Sequence, residues 1–159
     1  YERVSDYAKR TGATFHAGAN PWNVPVDVAL PCATQNEVSA QDAATLIKNG
    51  VICVAEGANM PCTIEAVRAF EGHGVLYAPG KASNAGGVAT SGLEMSQNAM
   101  RLTWPREEVD ARLHSIMTSI HEACLQHGRR ADGSVSYVDG ANVAAFVKVA
   151  DAMLAQGVI

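Results

Sequence analysis

The amino-acid sequence predicts an α/β fold in which a parallel β-sheet is followed by C-terminal helices. Short apolar runs of strand length occur at residues 26–30, 51–55 and 75–78. The segments between them carry apolar side chains at helical spacing. Strand–helix–strand units of this kind are right-handed, so the carboxyl ends of their strands meet at one edge of the sheet. We therefore predict a partial Rossmann-like, doubly wound parallel sheet with a ligand cleft at that edge.

The composition describes a globular protein with a hydrophobic core of its own. Of the 159 residues, 48% are hydrophobic and 18% are charged, and the formal net charge is −4. This charge gives no reason to expect a nucleic-acid partner. No run approaches the ~18 apolar residues that a membrane helix needs, so we expect no membrane partner either. The four cysteines include no C-x-x-C pair, which predicts reduced thiols and a cytoplasmic protein.

The first 25 residues predict a helix, a short strand and a loop. Residues 2–10 have helical apolar spacing, and Gly12 is suited to end that helix. Residues 13–16 are expected to form a short strand. Residues 18–25 contain two prolines, which exclude a helix interior and predict a loop. Because Tyr1 falls inside a helical pattern, we expect a fragment of a longer protein.

The segments between the apolar runs predict two helices. Residues 39–49 form the first, with Ser39 as its N-cap and Gly50 as its end. Residues 51–55 are all apolar, as in a strand buried on both faces. Pro61 is expected to open the second helix.

The last part of the chain predicts long helices. Residues 107–126 form one with an apolar stripe. Residues 142–155 form another, whose inward side is expected to hold Val143, Val147, Ala150 and Leu154. The loop at 127–134 is expected to be exposed. The spacing of the nearby histidines and Cys124 suits an exposed helix face better than a zinc site, so we expect no metal. Those histidines are His114, His121 and His127.

The stretch at residues 81–98 organises the predicted cleft. A polar, glycine-containing turn over residues 81–87 leads into a helix, a geometry that offers free backbone N–H groups to a ligand. Gly86 and Gly87 carry no side chain that would keep a flat ligand away. Asn84 can both donate and accept, which suits recognition of another amide. One face of the following helix is expected to hold Val88, Ser91, Met95, Ala99 and Leu102.

The predicted sheet brings residues from different turns together. Ala33 and Thr34 follow the first strand, Asn59 follows the second and Asn84 follows the third. Because all these turns open on one edge, we expect the residues to be neighbours in a single cleft.

Three long motifs in this order resemble the coenzyme domain of the hexameric glutamate dehydrogenases, and more closely their NADP-dependent bacterial branch. The motifs are residues 30–37, 54–61 and 81–98. The resemblance implies an enzyme that interconverts L-glutamate with 2-oxoglutarate and ammonia. It also implies NADP as the cofactor and a homo-hexamer for the full-length protein.

The resemblance also implies roles for individual residues. Asn84 would hydrogen-bond the nicotinamide carboxamide, and Asn59 would contact the cofactor near its nicotinamide ribose. Val88 would line the pocket for the glutamate side chain, and Ser91 would bind the γ-carboxylate. The full cofactor set is Ala33, Thr34, Asn59, Asn84, Gly86 and Gly87.

The sequence lacks parts that the family needs. No G-x-G-x-x-G follows a strand, so the element that holds the pyrophosphate is expected before Tyr1. The catalytic lysines and aspartate are expected there too, and none of the catalytic residues is assigned to this chain. We expect residues 1–135 to be a partial dinucleotide-binding domain. Residues 136–159 would form a C-terminal helix that packs toward a missing substrate domain.

Other readings remain open from the sequence. Asn59 and Asn84 are also suited to stabilise turns, and a serine such as Ser91 often bonds its own helix. The chain would equally fit a dehydrogenase for leucine or phenylalanine, or a nucleotide-binding module without catalysis. The hydroxyl of Ser91 beside Val88 favours a carboxylate substrate over an apolar one.

Overall fold

The computed structural model describes residues 3–157 and has the predicted α/β architecture. A 3₁₀ turn at Pro21–Asn23 lies in the predicted loop. Within the described residues, no helix is long and apolar enough to cross a membrane. The helices and strands are α1 (Val4–Thr11), β1 (Val28–Ala29), α2 (Ala40–Lys48), β2 (Cys53–Ala55), α3 (Ile64–Gly72), β3 (Leu76–Ala78), α4 (Gly80–Ser83), α5 (Ala85–Met100), α6 (Arg106–Gly128) and α7 (Tyr137–Gln156).

The sheet is parallel and its strand order is β1-β2-β3, which confirms the predicted α/β class with a parallel sheet. Val28 lies opposite Cys53, and Cys53 lies opposite Leu76. The strands begin later than the apolar runs that predicted them. Their carboxyl ends, where a ligand cleft was predicted, lie side by side at one edge.

One face of the sheet is covered by α2 and α3 and forms the main core. Ala29, Val54 and Tyr77 lie in register across the strands, and all are buried. Phe70 and Leu46 from the covering helices pack into the same cluster and are fully buried. Successive right-handed crossovers in one direction place both helices on this face.

The other face of the sheet remains largely uncovered by residues 3–157. Val28, Leu30 and Leu76 are 48%, 60% and 66% exposed. Ile52 is also exposed, so the predicted burial of residues 51–55 on both faces is wrong for the described chain. The reason is that neither crossover helix can reach this side of the sheet.

The start of α2 confirms the predicted helix cap. The Ser39 hydroxyl accepts a hydrogen bond from the backbone N–H of Asp42 at 3.3 Å. The Asp42 carboxylate in turn accepts from the backbone N–H of Ser39 at 2.9 Å. This reciprocal pair satisfies N–H groups that would otherwise lack a partner.

Four predicted elements or boundaries are wrong. Helix α6 continues to the buried Gly128, so the loop predicted over residues 127–134 starts only after it, and α7 begins at Tyr137 rather than at residue 142.

Residues 13–16 form no strand, since they are exposed and no strand in the described chain pairs with them. Pro61 does not open α3, because its carbonyl accepts from the backbone N–H of Val38 at 2.9 Å. The helix begins at Ile64, with Thr63 as its N-cap.

The predicted glycine turn at residues 81–87 is helical instead. Chain direction changes at Pro79, the N-cap of α4, and Asn84 separates α4 from α5. Gly86 and Gly87 therefore lie in the first turn of α5. Successive helical hydrogen bonds stabilise residues 79–84 as a helix rather than an open turn. One of them runs from the Asn84 N–H to the Gly80 carbonyl at 2.8 Å.

The C-terminal helices cross closely at glycines. A Cβ on Gly140 of α7 would lie 2.2 Å from the carbonyl oxygen of Cys124 in α6. A Cβ on Gly128 would lie 2.2 Å from the Ser136 carbonyl oxygen. The predicted inward positions of Val143 and Leu154 are wrong, because these side chains are 41% and 78% exposed. Leu154 lies beyond the crossing, where the described chain offers it no partner.

The glycine crossing predicts a loss of stability when Gly140 is changed to alanine. The added methyl group would collide with the backbone of α6, so we expect about 1–3 kcal/mol of destabilisation. Urea unfolding followed by circular dichroism measures this change.

Gly72→Ala is the matched control. Gly72 ends α3, its added Cβ would meet nothing within 4 Å, and its φ is not positive. Alanine there should stabilise by about 0.4–1 kcal/mol, because it restricts the unfolded chain. Equal effects of both substitutions would contradict the close crossing.

Candidate functional site

A cavity of about 830 Å³ lies at the carboxyl edge of the sheet. The turns after β1, β2 and β3 all contribute to it. The predicted neighbours are brought together, and further residues from the same turns join them. The lining consists of Cys32, Ala33, Thr34, Gln35, Gly57, Ala58, Asn59, Asn84 and Val88.

The turns after β1 and β2 are joined through their backbones. The N–H groups of Gly57 and Ala58 donate to the Pro31 carbonyl at 2.9 and 3.1 Å. The N–H of Asn36 donates to the Met60 carbonyl at 3.0 Å. These bonds make the two turns one wall of the cavity.

Gly57 lies at this close approach, where a Cβ would displace the exposed Cys32 side chain. A Cβ at this position would lie 2.4 Å from the Cys32 sulfur, closer than real atoms come. Asn36 and Met60, which are bonded to each other, both have left-handed φ values, 55° and 48°. Such backbone angles in residues other than glycine are uncommon and occur where the surroundings hold the chain in place.

Glu56 joins the turn after β2 to the turn after β3. This residue is only 5% exposed, although it is charged. Its Oε1 accepts from the backbone N–H of Cys62 at 3.1 Å, and its Oε2 accepts from the backbone N–H of Gly80 at 2.6 Å. The Ser83 hydroxyl donates to the backbone carbonyl of Glu56 at 2.5 Å. A buried carboxylate is stable when hydrogen bonds satisfy it in this way.

The groups around Glu56 have raised pKa values. Burial raises the pKa of the Tyr77 hydroxyl, and its hydrogen bond to Glu56 raises it further. Burial also raises the pKa of the Cys62 thiol, and the negative charge of Glu56 adds to this effect. Both groups therefore stay neutral at physiological pH, and Cys62 is not a reactive thiolate.

Asn84 and Asn59 form a pair within the cavity wall. The Asn84 amide nitrogen donates to the Ala58 carbonyl at 3.1 Å and to Asn59 Oδ1 at 2.8 Å. The Ala58 carbonyl can only accept, which fixes the nitrogen of Asn84 on that side. Both hydrogens of this amide are therefore used within the protein.

The pair leaves one acceptor and one donor for a ligand. Within residues 3–157, Asn84 Oδ1 and Asn59 Nδ2 have no hydrogen-bond partner. An amide acceptor and an amide donor are the two kinds of group that complement a primary carboxamide. Asn84 alone was predicted to donate and to accept, and in the structure both of its amide N–H groups are already bonded within the protein.

Of the site residues predicted on α5, only Val88 lies at the cavity. Gly86 and Gly87 do not line it: a Cβ on Gly86 would meet Leu113 of α6 at 3.7 Å, whereas Gly87 has open space around it. Ser91 is exposed outside the lining, and its hydroxyl donates to the Gly87 carbonyl at 3.3 Å.

Among residues 3–157, no charged side chain lines the cavity. The nearby Lys81 points its amine at the side-chain oxygen of Asn142 on α7. The carboxylate of Glu37 accepts from the backbone N–H of the lining residue Ala33 at 2.8 Å. The described lining therefore suits a neutral ligand group better than a charged one.

Sequence reasoning missed Glu56 and Glu37, and it did not assign four of the lining residues to the site: Cys32, Gln35, Gly57 and Ala58. Nothing in the sequence determined which way the polar side chains among them point. A signal existed for Glu56, since a charged residue directly after a buried strand must find a partner. The sequence did not show that its partners are backbone N–H groups of two separate turns.

Comparison with known proteins shows that this chain is similar to glutamate dehydrogenases. The NADP-specific glutamate dehydrogenase of Escherichia coli K12 is 65% identical over 157 residues, covering 99% of this chain and 35% of the relative. The NAD-specific glutamate dehydrogenase of Bacteroides fragilis is 59% identical over 157 residues, covering 98% of this chain and 35% of the relative. The chain thus spans about a third of the length of these relatives.

Solved structures show the same fold. A glutamate dehydrogenase of Plasmodium falciparum superposes with a TM-score of 0.94 at 43% identity, covering 99% of this chain and 34% of that chain. A further glutamate dehydrogenase superposes with a TM-score of 0.92 at 46% identity, covering 98% of this chain and 35% of that chain.

The sequence profile of one enzyme family matches residues 1–157. Taken with the parallel sheet and the cavity at its carboxyl edge, this match shows that the chain belongs to the glutamate/leucine/phenylalanine/valine dehydrogenase family.

Proposed function

We propose that this chain is the nicotinamide-binding part of an NADP-dependent glutamate dehydrogenase. The observation that carries the proposal is the Asn84–Asn59 pair, which offers an acceptor and a donor in an uncharged cavity. Two relatives support it, since those of Escherichia coli and Salmonella typhimurium, each 65% identical, are both named NADP-specific glutamate dehydrogenase.

The lining of the cavity fits the nicotinamide end of NADP. Asn84 Oδ1 would accept from the carboxamide nitrogen, and Asn59 Nδ2 would donate to the carboxamide oxygen. Ala33 and Thr34 would flank the nucleotide, and the open surface at Gly87 leaves room for it. When bound, NADP supplies the ring that accepts a hydride as L-glutamate is converted to 2-oxoglutarate and ammonia.

Other parts of the enzyme would come from the rest of the polypeptide. None of the described residues that line the cavity is charged, which supports a pyrophosphate site elsewhere, and residues 1–135 would accordingly be only part of a dinucleotide-binding domain. Residues 136–159 would pack toward the substrate domain. Apolar side chains on α7 that residues 3–157 leave uncovered support this arrangement, among them Phe146, Val149 and Leu154, which are 71%, 59% and 78% exposed.

Glutamate is the proposed substrate rather than leucine or phenylalanine. Val88 would contact the glutamate side chain, and the Ser91 hydroxyl would bind its γ-carboxylate. Ser91 is exposed and makes only a long bond to its own helix, so its hydroxyl can turn toward a substrate. A site built to hydrogen-bond a group discriminates strongly against substrates that lack it.

The cofactor preference, assembly and location belong to the same proposal. The enzyme would prefer NADP over NAD. Because one relative at 59% identity is named NAD-specific, this preference needs a test by steady-state kinetics with both cofactors. The complete protein would be a homo-hexamer, measurable by light scattering. A cytoplasmic location is supported by four free cysteines and would be tested by fractionation.

Ser91→Ala in the complete enzyme tests the substrate. Loss of a hydrogen bond to a charged group should lower kcat/KM for glutamate roughly tenfold to a hundredfold. Ser96→Ala is the matched control, because Ser96 also bonds an i−4 carbonyl, that of Gly92 at 2.8 Å, and has no proposed ligand. If both variants keep wild-type kcat/KM, Ser91 is only a helix serine.

Asn84→Leu in the complete enzyme tests the cofactor contact. Leucine removes the acceptor and also the bonds to Ala58 and Asn59. Because catalysis depends on alignment to about an ångström, kcat should fall roughly a hundredfold. Affinity for NADP should fall less, since its adenine half binds elsewhere.

The control for Asn84→Leu is Gln41→Leu, which makes the same type of change on the exposed face of α2. It should leave kcat and affinity unchanged. A normal kcat in Asn84→Leu, measured on correctly folded protein, would place the nicotinamide site elsewhere.

The 159-residue chain on its own should show no glutamate oxidation, because the pyrophosphate site and the catalytic residues are expected outside it. A spectrophotometric assay at 340 nm, with the complete protein as positive control, measures this. Turnover by the purified chain would refute the assignment of catalysis to another part of the polypeptide. Absence of turnover in the complete protein would favour a non-catalytic module.

A further inference from the structure

We propose that Glu56 is a positioning residue for the nicotinamide cleft, acting through the backbone of the two turns that carry Asn59 and Asn84. This inference rests on the proposed function. It adds a residue outside the cavity lining, whose effect would be on alignment rather than on contact with the ligand.

Glu56 closes the loop that carries Asn59. This turn begins at Glu56 and reaches Cys62, whose backbone N–H is bound by Glu56 Oε1 at 3.1 Å. The residue thus holds both ends of the loop that contains Asn59. The bonds from Gly57 and Ala58 to the Pro31 carbonyl fix the loop from its other side.

Glu56 also binds the backbone at the start of α4. Glu56 Oε2 accepts from the N–H of Gly80 at 2.6 Å, and the carbonyl of Gly80 accepts from the N–H of Asn84 at 2.8 Å. The Ser83 hydroxyl adds a bond to the Glu56 carbonyl at 2.5 Å. The position of Asn84 is therefore set, through one helical turn, by the same carboxylate.

The turn of Asn59 and the start of α4 are packed closely against each other. A Cβ on Gly80 would lie 2.8 Å from the Ala58 carbonyl and 3.1 Å from Glu56 Oε2. The Ala58 carbonyl is also the group that the Asn84 amide binds. A small displacement of α4 would therefore change the contact between Asn84 and the turn of Asn59.

Only a carboxylate can make both backbone bonds at once. An ionised carboxylate accepts at each oxygen, whereas a glutamine amide would turn its own N–H₂ toward a backbone N–H. Glu56→Gln has nearly the same volume and should therefore release one of the two turns. Shifts of about an ångström at a reacting centre can cost a hundredfold in rate.

The test is Glu56→Gln in the complete enzyme, with kcat, KM and the deuterium isotope effect on kcat for glutamate deuterated at Cα. We expect kcat to fall roughly tenfold to a hundredfold. The isotope effect should rise, because a misaligned C–H transfer becomes slower than the other steps. The affinity for adenosine 2′-monophosphate, which represents the adenine half, should stay unchanged.

Glu71→Gln controls for a purely structural effect. Glu71 accepts from the Ser136 hydroxyl at 2.9 Å, so it joins α3 to the start of α7 away from the cavity. This variant should lower the thermal midpoint and leave kcat and the isotope effect unchanged.

Glu56→Asp decides the question if Glu56→Gln does not fold. The shorter side chain keeps the carboxylate but cannot span from Cys62 N–H to Gly80 N–H, so it should lower kcat several-fold and raise the isotope effect. An unchanged kcat and isotope effect in folded Glu56→Gln, or in Glu56→Asp where that variant decides, would overturn the role of Glu56 alone. A wild-type enzyme that does not oxidise glutamate would overturn the proposed function and, with it, this inference.

Discussion

The buried carboxylate of Glu56 connects the parts of this structure that would bind a cofactor. Parallel strands bring their carboxyl ends together, but the turns that follow need a separate constraint to form a wall. Glu56 supplies it by accepting backbone N–H groups from Cys62 and Gly80. Asn59 and Asn84 lie on these two turns and bond to each other. An ion buried in this way is costly unless its hydrogen bonds are complete, so the site has little freedom to rearrange.

The fold could be predicted from the sequence because it follows local rules. Apolar runs separated by helical patterns determine a parallel sheet, and Ser39 and Gly12 mark helix ends as predicted. The errors arose where tertiary contacts override local preference. Pro61 pairs with the turn of Val38 instead of opening a helix, and Ile52 lacks a covering layer within the described residues.

The candidate site was predicted in part. Asn59 and Asn84 were predicted to lie together because the turns after parallel strands open at the same edge of the sheet. This prediction depends only on strand direction. How their amides share donors and acceptors depends on the Ala58 carbonyl, which no sequence pattern reveals. Glu56 was missed for the same reason, since its partners are backbone groups distant in sequence. The cofactor and substrate roles of the site residues stay predictions.

The most direct measurement is a crystal structure of the complete protein with NADP bound. Our account predicts the carboxamide nitrogen within hydrogen-bond distance of Asn84 Oδ1 and the carboxamide oxygen within that distance of Asn59 Nδ2. Glu56 should keep both of its bonds, to Cys62 N–H and Gly80 N–H, in the same structure. A nicotinamide ring held by other residues, with the two asparagines bonded only to each other and to the Ala58 carbonyl, would contradict the account.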